Sequence, residues 1–153
     1  MKEKNVVCFG VDVSKDKLDI VSSDGEYLQV PNTKIGFKKL VSKMSLSDYV
    51  VMEATGYYHY QLAYFLLEHN RLVSVANPLS VKRFIQMSLS KVKTDKSDAK
   101  MICEYGVKVK QKWWEGHSKN QQQCLQLLSL VETYQKQMTM IKNKIHGEKV
   151  LCV

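Results

Sequence analysis

Short segments with alternating or compact apolar residues occupy the first part of the chain. They cover residues 6–14, 17–23 and 26–31, are rich in β-branched residues, and are separated by turn formers such as Asp24 and Gly25. This pattern predicts three consecutive β-strands that form a meander.

Apolar residues at helical spacing alternate with compact apolar runs from residue 33 onward. The predicted elements are a helix over residues 33–44, a strand over 49–54, a helix from Gly56 to about Asn70 with Thr55 as its N-cap, a strand over 71–78, and helices over 79–90 and 97–110. Three strands followed by helix, strand, helix, strand and helix fit a mixed sheet whose later strands are parallel. This is the element order of the RNase H-like fold, so we predict an α/β domain with a mixed five-stranded sheet and flanking helices over residues 1–115.

Residues 116–153 carry a different pattern. From Lys119 onward, apolar residues follow alternating steps of three and four, which is the heptad spacing of a coiled coil. The heptad residues are Cys124, Leu127, Val131, Tyr134, Met138, Ile141 and Ile145. Packing of this helix on its own domain is the alternative, because Leu125, Leu128 and Leu130 widen the apolar stripe at its start.

The stripe narrows to the heptad residues beyond Val131, which favours a coiled-coil helix that pairs with another copy or with a returning helix. We expect a homodimer or higher oligomer through residues 119–149. Because no helix-ending residue follows Leu151, we also expect the native protein to continue past Val153.

Composition and charge narrow the classes of function. The chain has 153 residues, of which 44% are hydrophobic, enough for one ordinary globular domain with an extension. The net charge of +8 indicates nucleic acid as a partner. The sequence has no CxxC pair and no Walker, dinucleotide-binding or HExxH pattern, which argues against zinc, ATP and NAD. Without a signal peptide or an apolar run of about 18 residues, we expect a cytoplasmic protein that has no membrane partner.

Two acidic residues lie in strands that are otherwise apolar. In the first predicted strand, Asp12 faces away from Phe9, Val11 and Val13. Glu53 ends the fourth predicted strand, at the carboxyl edge of the sheet, where sites form in open α/β folds. If these strands are neighbours, the two carboxylates repel by about 4 kcal/mol at a separation of about 4 Å and an effective dielectric near 20. A divalent cation would remove that repulsion.

Asp95 and Asp98 form a second acidic pair within a run of lysines. Their spacing places both side chains on one face of a helix or of its first turn. Spacing alone favours an N-cap and a first-turn acid, each stabilised by the helix dipole. The fold could, however, bring both residues to Asp12 and Glu53, and carboxylate oxygens suit the Mg²⁺ ions of phosphodiester chemistry. We therefore predict a Mg²⁺ site formed by these four acids, with Mn²⁺ as an alternative ion.

Basic and aromatic residues flank the four acids. Solvated surface is the usual explanation for lysines, but beside a carboxylate site a basic patch can hold a phosphate backbone. The predicted backbone contacts are Lys82, Arg83, Lys91, Lys93, Lys96 and Lys100. Four aromatic residues after Glu53 could contact phosphates or bases, with packing at a helix start as the alternative for each: Tyr57, Tyr58, His59 and Tyr60. Of these, Tyr57 and His59 are the predicted contacts.

The strings GVDVSK, MEATGYYH, VANPLSVKRF and KTDKSDA, in this order, resemble the N-terminal half of the Piv-like DEDD transposases, insertion-sequence recombinases with a RuvC-like domain. The resemblance covers nearly the whole chain. It implies that Asp12, Glu53, Asp95 and Asp98 are the metal-binding catalytic tetrad of that family. It also implies DNA recombination in a bacterial or archaeal cytoplasm, with DNA and, in part of the family, a structured guide RNA as partners of a dimer or higher oligomer.

In this family, a further domain after the coiled coil carries a serine thought to attack DNA, and no serine of this chain matches it. The resemblance therefore implies a chain that binds metal and nucleic acid without completing strand exchange alone. Two other functions fit the residues. One is a stand-alone nuclease of the Holliday-junction-resolvase kind, and the other is a non-catalytic module that binds nucleic acid and dimerises through its heptad helix.

Overall fold

The structure is a computed structural model that describes residues 6–54, 56–87 and 95–151, with only the backbone of Asp95 and Lys96. The chain divides into two compact units between Gly116 and His117.

The first unit contains one mixed sheet with the strand order β3-β2-β1-β4-β5. Strand β1 is antiparallel to β2, and β2 is antiparallel to β3, whereas β4 is parallel to both β1 and β5. The strands are β1 (Cys8–Val13), β2 (Lys17–Ser22), β3 (Tyr27–Pro31), β4 (Tyr49–Glu53) and β5 (Leu72–Ala76). This order and these directions confirm the predicted α/β class and the RNase H-like arrangement.

The predicted helices of the first unit are present, with shifted ends. They are α1 (Lys34–Val41), α2 (His59–Glu68), α3 (Pro78–Met87) and α4 (Asp95–Lys108). Helix α2 was expected to begin at Gly56 and begins at His59. Gly56 has a φ of +55°, which a right-handed helix cannot contain, so the chain turns there and Tyr58 becomes the N-cap. The predicted N-cap, Thr55, lies outside the described residues.

Apolar side chains are buried on both faces of the sheet. Phe9, Val11 and Val13 pack with residues of α1 and α2, whereas Cys8 packs with residues of α4 on the other face. This confirms the alternation predicted for β1. Gly10 allows the closest approach, since a Cβ there would lie only 2.2 Å from the backbone nitrogen of Cys103. Helix α4 therefore lies directly on β1 and runs along the face that also carries Asp12.

The second unit is dominated by one helix, α5 (Lys119–Leu151). This confirms the predicted long helix, and none of its residues is buried. The heptad residues are exposed, with Leu127 at 62%, Tyr134 at 62% and Ile141 at 56%. Pairing of α5 with another helix stays a prediction.

Across the described segments, no helix has the length and apolar character that crossing a membrane requires.

Candidate functional site

Neighbouring strands bring the first two predicted acids together. Strand β1 pairs with β4 in parallel, with Val11 opposite Met52. Asp12 and Glu53 are the next residues of the two strands, so both side chains leave the sheet on the same face. Both are half-buried. The predicted placement of these two acids side by side is therefore correct.

Helix α4 adds a third acid to this face. Its close contact at Gly10 places the carbonyl oxygen of Ala99 only 2.5 Å from where a Cβ of Gly10 would lie. Asp98, the residue before Ala99, is half-buried in the first turn of α4. Asp95 is the first residue of the same helix, and its side chain lies outside the described set.

The three described acids influence each other electrostatically. The pKa of Glu53 is raised above its ordinary value, first by burial and then by the negative charges of Asp12 and Asp98. The negative charges of Asp12 and Asp98 therefore act on Glu53 across this edge of the sheet. A bound cation would lower the energy of such an arrangement.

These acids have the right ligand atoms for Mg²⁺, but the described side chains are not grouped as a metal site requires. Carboxylate oxygens are the hard ligands that Mg²⁺ prefers, and a cation would offset the negative charges of Asp12 and Asp98 that, after burial, raise the pKa of Glu53. Among the described side chains, however, no three His, Cys, Asp or Glu residues are grouped closely enough to hold a metal ion. The side chain of Asp95, the fourth predicted ligand, lies outside the described set. The Mg²⁺ or Mn²⁺ site therefore stays a prediction.

Asp19 is a further acid that the sequence analysis did not select. It lies directly opposite Asp12 in the antiparallel pairing of β1 with β2, and it is only 2% exposed. Its carboxylate accepts hydrogen bonds from the hydroxyl of Tyr27 and, at 2.7 Å, from Nε2 of Gln29, while Nζ of Lys17 lies 3.3 Å away. An acid inside an apolar strand is the same signal that identified Asp12, and it could have identified Asp19.

The surroundings of Asp19 keep it ionised. Burial acts to raise its pKa, but the hydrogen bonds from Tyr27 and Gln29 and the contact with Lys17 outweigh burial and lower the pKa below its ordinary value. A second fixed negative charge therefore lies in the strand next to Asp12, and its neutralising partners all belong to β2 and β3.

Some of the predicted nucleic-acid contacts can be located. Lys82 and Arg83 are exposed on α3, and Lys100 is exposed on α4. Lys91 and Lys93 lie outside the described residues, as does the side chain of Lys96.

The two aromatic candidates differ in their accessibility. Tyr57 is 54% exposed, which suits a contact with a partner. His59 is 3% exposed and its ring lies 4.2 Å from that of Tyr60, so packing at the start of α2 accounts for it in this structure. Tyr58, which lies between them, is 49% exposed.

The chain is similar to a family of transposases and to two longer gene-inverting proteins. The DEDD_Tnp_IS110 family, described as Transposase, matches residues 9–148. The pilin gene-inverting proteins of Moraxella bovis and Moraxella lacunata are each 28% identical to the chain over 148 residues, which cover 91% of this chain and 45% of the relative. The chain thus spans less than half the length of these curated relatives.

Among solved structures, T. thermophilus RuvC in complex with Holliday junction substrate aligns with 72% of this chain and 100% of its own chain, at 15% identity and a TM-score of 0.43. A likeness of this size carries no argument about function. The family match, in contrast, extends over nearly the whole sequence. On that match, the chain belongs to the DEDD_Tnp_IS110 transposase family.

Proposed function

We propose that the chain is the metal-dependent DNA-cleaving domain of a transposase. The observation that carries the proposal is the position of Asp12, Glu53 and Asp98 at one edge of the sheet, where burial and the negative charges of Asp12 and Asp98 raise the pKa of Glu53. Membership of a transposase family supports DNA as the substrate. The basic net charge of +8 supports an anionic partner of the same kind.

In this proposal, Asp12, Glu53, Asp95 and Asp98 hold one or two Mg²⁺ ions, with Mn²⁺ as a substitute. When bound, the metal supplies positive charge that can activate a nucleophile and stabilise the leaving oxygen of a phosphodiester. The sheet contributes rigidity: Asp12 and Glu53 belong to paired strands, so their carboxylates are held near each other before any ligand binds. Because Asp98 belongs to α4, the contact between α4 and β1 sets its distance from the other two acids.

The basic residues have a separate role. Lys82, Arg83 and Lys100, together with Lys91, Lys93 and Lys96, are proposed to bind the phosphate backbone on the α3–α4 side of the acids. Each phosphate that they neutralise should contribute about −0.9 to the slope of log affinity against log salt on duplex DNA. Their function is to hold the DNA in position, and they take no part in bond cleavage.

The proposed assembly has three further components. Helix α5 joins two or more copies through its exposed heptad residues. A structured guide RNA binds beside the DNA in the assembled complex. A serine from a domain outside this chain supplies the nucleophile of strand exchange, in keeping with relatives that are more than twice as long as the matched region.

Divalent-cation binding tests the central claim. Titration calorimetry with Mn²⁺ and with Mg²⁺ should detect binding to the chain, and Asp12→Asn or Glu53→Gln should weaken it at least about tenfold, or about 1.4 kcal/mol. Glu68→Gln is the matched control, because Glu68 is exposed at the opposite, C-terminal end of α2. Wild-type affinity in both Asp12→Asn and Glu53→Gln would remove the metal site from the proposal.

One observation favours a second candidate function, the non-catalytic module that binds nucleic acid. It is that no described group of three ligating side chains is close enough to hold an ion. A chain that binds DNA equally well with and without Mg²⁺, and that binds no Mn²⁺, would support this candidate. Metal-dependent cleavage of branched DNA by the chain alone would instead support a stand-alone nuclease.

A further inference from the structure

Three loops meet at the carboxyl edge of the sheet, after β1, β3 and β4. Asn32, in the second loop, links all of them. Its side-chain amide donates to the carbonyl oxygen of Ser14 at 2.8 Å and to that of Tyr58 at 3.4 Å. Its backbone amide donates to the carbonyl oxygen of Asp16 at 3.0 Å. The backbone of Tyr58 is therefore tied to the same edge that carries the acidic residues.

The side chain of Tyr58 is exposed although its backbone is held. Tyr58 is 49% exposed, and its neighbour Tyr57 is 54% exposed. Ile35, in the first turn of α1 and close in sequence to Asn32, is 78% exposed. Within the described part of the chain, the ring of Tyr58 takes part in no hydrogen bond or ring contact. Single exposed apolar residues are common, but Tyr57 and Tyr58 are consecutive exposed aromatic residues of one loop and form a small patch, and such patches mark interaction sites.

The charges around this patch favour an anionic partner. Lys15 is exposed in the first loop, next to the exposed Asp16, and Lys34 is exposed as the first residue of α1. The first turns of α1 and α2 contain no acidic residue, and neither N-cap side chain, Thr33 or Tyr58, bonds to its helix. The positive ends of both helix dipoles are thus not offset by a carboxylate within their own first turns. A nucleotide matches this combination, because it joins a flat apolar base to a negatively charged phosphate.

We infer that Tyr58, held by Asn32, stacks on an unpaired nucleotide of the DNA strand that passes the acidic residues. This inference rests on the proposed function and adds a positioning residue to it. In duplex DNA both faces of a base are covered by its neighbours, so stacking on Tyr58 requires a single-stranded or locally opened site. Because the backbone of Tyr58 is already fixed, little conformational freedom is lost when the ring binds.

The test compares single-stranded and duplex DNA of the same sequence, each containing a fluorescent purine analogue whose emission falls on stacking. Tyr58→Ala should weaken binding of the single strand about tenfold, equivalent to about 1.4 kcal/mol, and should remove the fluorescence quench. Its effect on duplex affinity should stay below about twofold. Tyr58→Phe should restore both affinity and quench relative to the alanine variant, because it retains the ring.

Leu46→Ala is the matched control. Leu46 is 75% exposed and precedes β4, at the opposite edge of the sheet, so its removal deletes exposed apolar area without touching the three loops. We expect it to bind both DNAs as the unaltered chain does. Asn32→Ala should lose part of the quench, because the loop that carries Tyr58 is released.

The outcomes separate this inference from the function on which it rests. If the chain binds DNA and Tyr58→Ala matches Leu46→Ala in affinity and quench, the stacking role is overturned and the proposed function stands. Equal losses on single-stranded and duplex DNA also overturn it, since stacking predicts a difference. An unchanged quench in Asn32→Ala overturns the role of Asn32. A chain that binds neither DNA overturns both the inference and the proposed function.

Discussion

The contact between Gly10 and α4 allows a sharp test of how the acidic site is built. In Gly10→Ala, the new Cβ would lie 2.2 Å from the backbone nitrogen of Cys103 and 2.5 Å from the carbonyl oxygen of Ala99. Both are backbone atoms, so no side-chain rotation can relieve the clash. To reach ordinary van der Waals distance, α4 must withdraw from β1 by about 1 Å.

The expected cost has two parts. Overpacking a well-packed core costs about 1–3 kcal/mol. Withdrawal of α4 also loosens the cluster that its residues Ile102 and Cys103 form with Cys8 and Val51. We therefore expect Gly10→Ala to lower the free energy of unfolding by about 3 kcal/mol, out of a total that is commonly about 5–15 kcal/mol. Because Asp98 moves with α4, the affinity for Mg²⁺ should fall at the same time.

Urea unfolding followed by tryptophan fluorescence measures this effect, since both tryptophans, Trp113 and Trp114, belong to the first unit. The control is Gly147→Ala in α5, where an added Cβ has no other atom within 4 Å. It should leave the first unit unchanged. The reasoning is refuted if Gly10→Ala unfolds at the same urea concentration as the unaltered chain and retains its affinity for Mn²⁺.

Three further predictions concern pH, DNA binding and assembly. The pKa of Asp19 is lower in the folded chain than its ordinary value, so its stabilising contribution is present above the ordinary pKa and is lost as the pH falls through the folded value. In urea unfolding at neutral and acidic pH, Asp19→Asn should therefore show a smaller pH dependence, and equal dependence would contradict this assignment. Lys82→Ala should weaken DNA binding and reduce the magnitude of the slope of log affinity against log salt by about 0.9, measured by fluorescence anisotropy at several salt concentrations. An unchanged slope would mean that Lys82 does not contact the DNA backbone. In α5, Val131→Asp places a charge at a heptad position and should convert an oligomer to monomers, as measured by light scattering. The control Gln137→Asp, at an exposed position outside the heptad set, should leave the oligomer intact. If the two variants have the same molecular mass in solution, pairing through the heptad residues is wrong.

The order of helices and strands follows from the sequence because it depends on neighbouring residues. Alternation in residues 6–14 specifies a strand with two different faces, and the observed β1 buries Phe9 and Cys8 on opposite sides. The long helix likewise follows from the steps of three and four after Lys119. Asp12 and Glu53 were recognisable for the same local reason, since each carries a charge in an otherwise apolar strand.

The start of α2 and the roles of its aromatic residues required the tertiary structure. The string GYYH does not indicate which ring is buried, so Tyr57, Tyr58 and His59 are equivalent candidates from the sequence alone. The positive φ of Gly56 delays the helix, which leaves Tyr58 at the N-cap and turns His59 into the core. The hydrogen bond from Asn32 to Tyr58 joins residues 26 positions apart, and no local pattern predicts it.

Asp19 likewise combines a feature that the local sequence predicts with features that depend on distant residues. Its position in a strand was predictable, but its place opposite Asp12 depends on the register of β1 with β2, and its ionised state depends on Tyr27 and Gln29 in a third strand. By itself, the sequence determined which segments are strands or helices and which acids stand out, because periodicity is a property of consecutive residues. Only the tertiary structure decided which charges and rings face each other, because register and helix packing arise from contacts between distant residues.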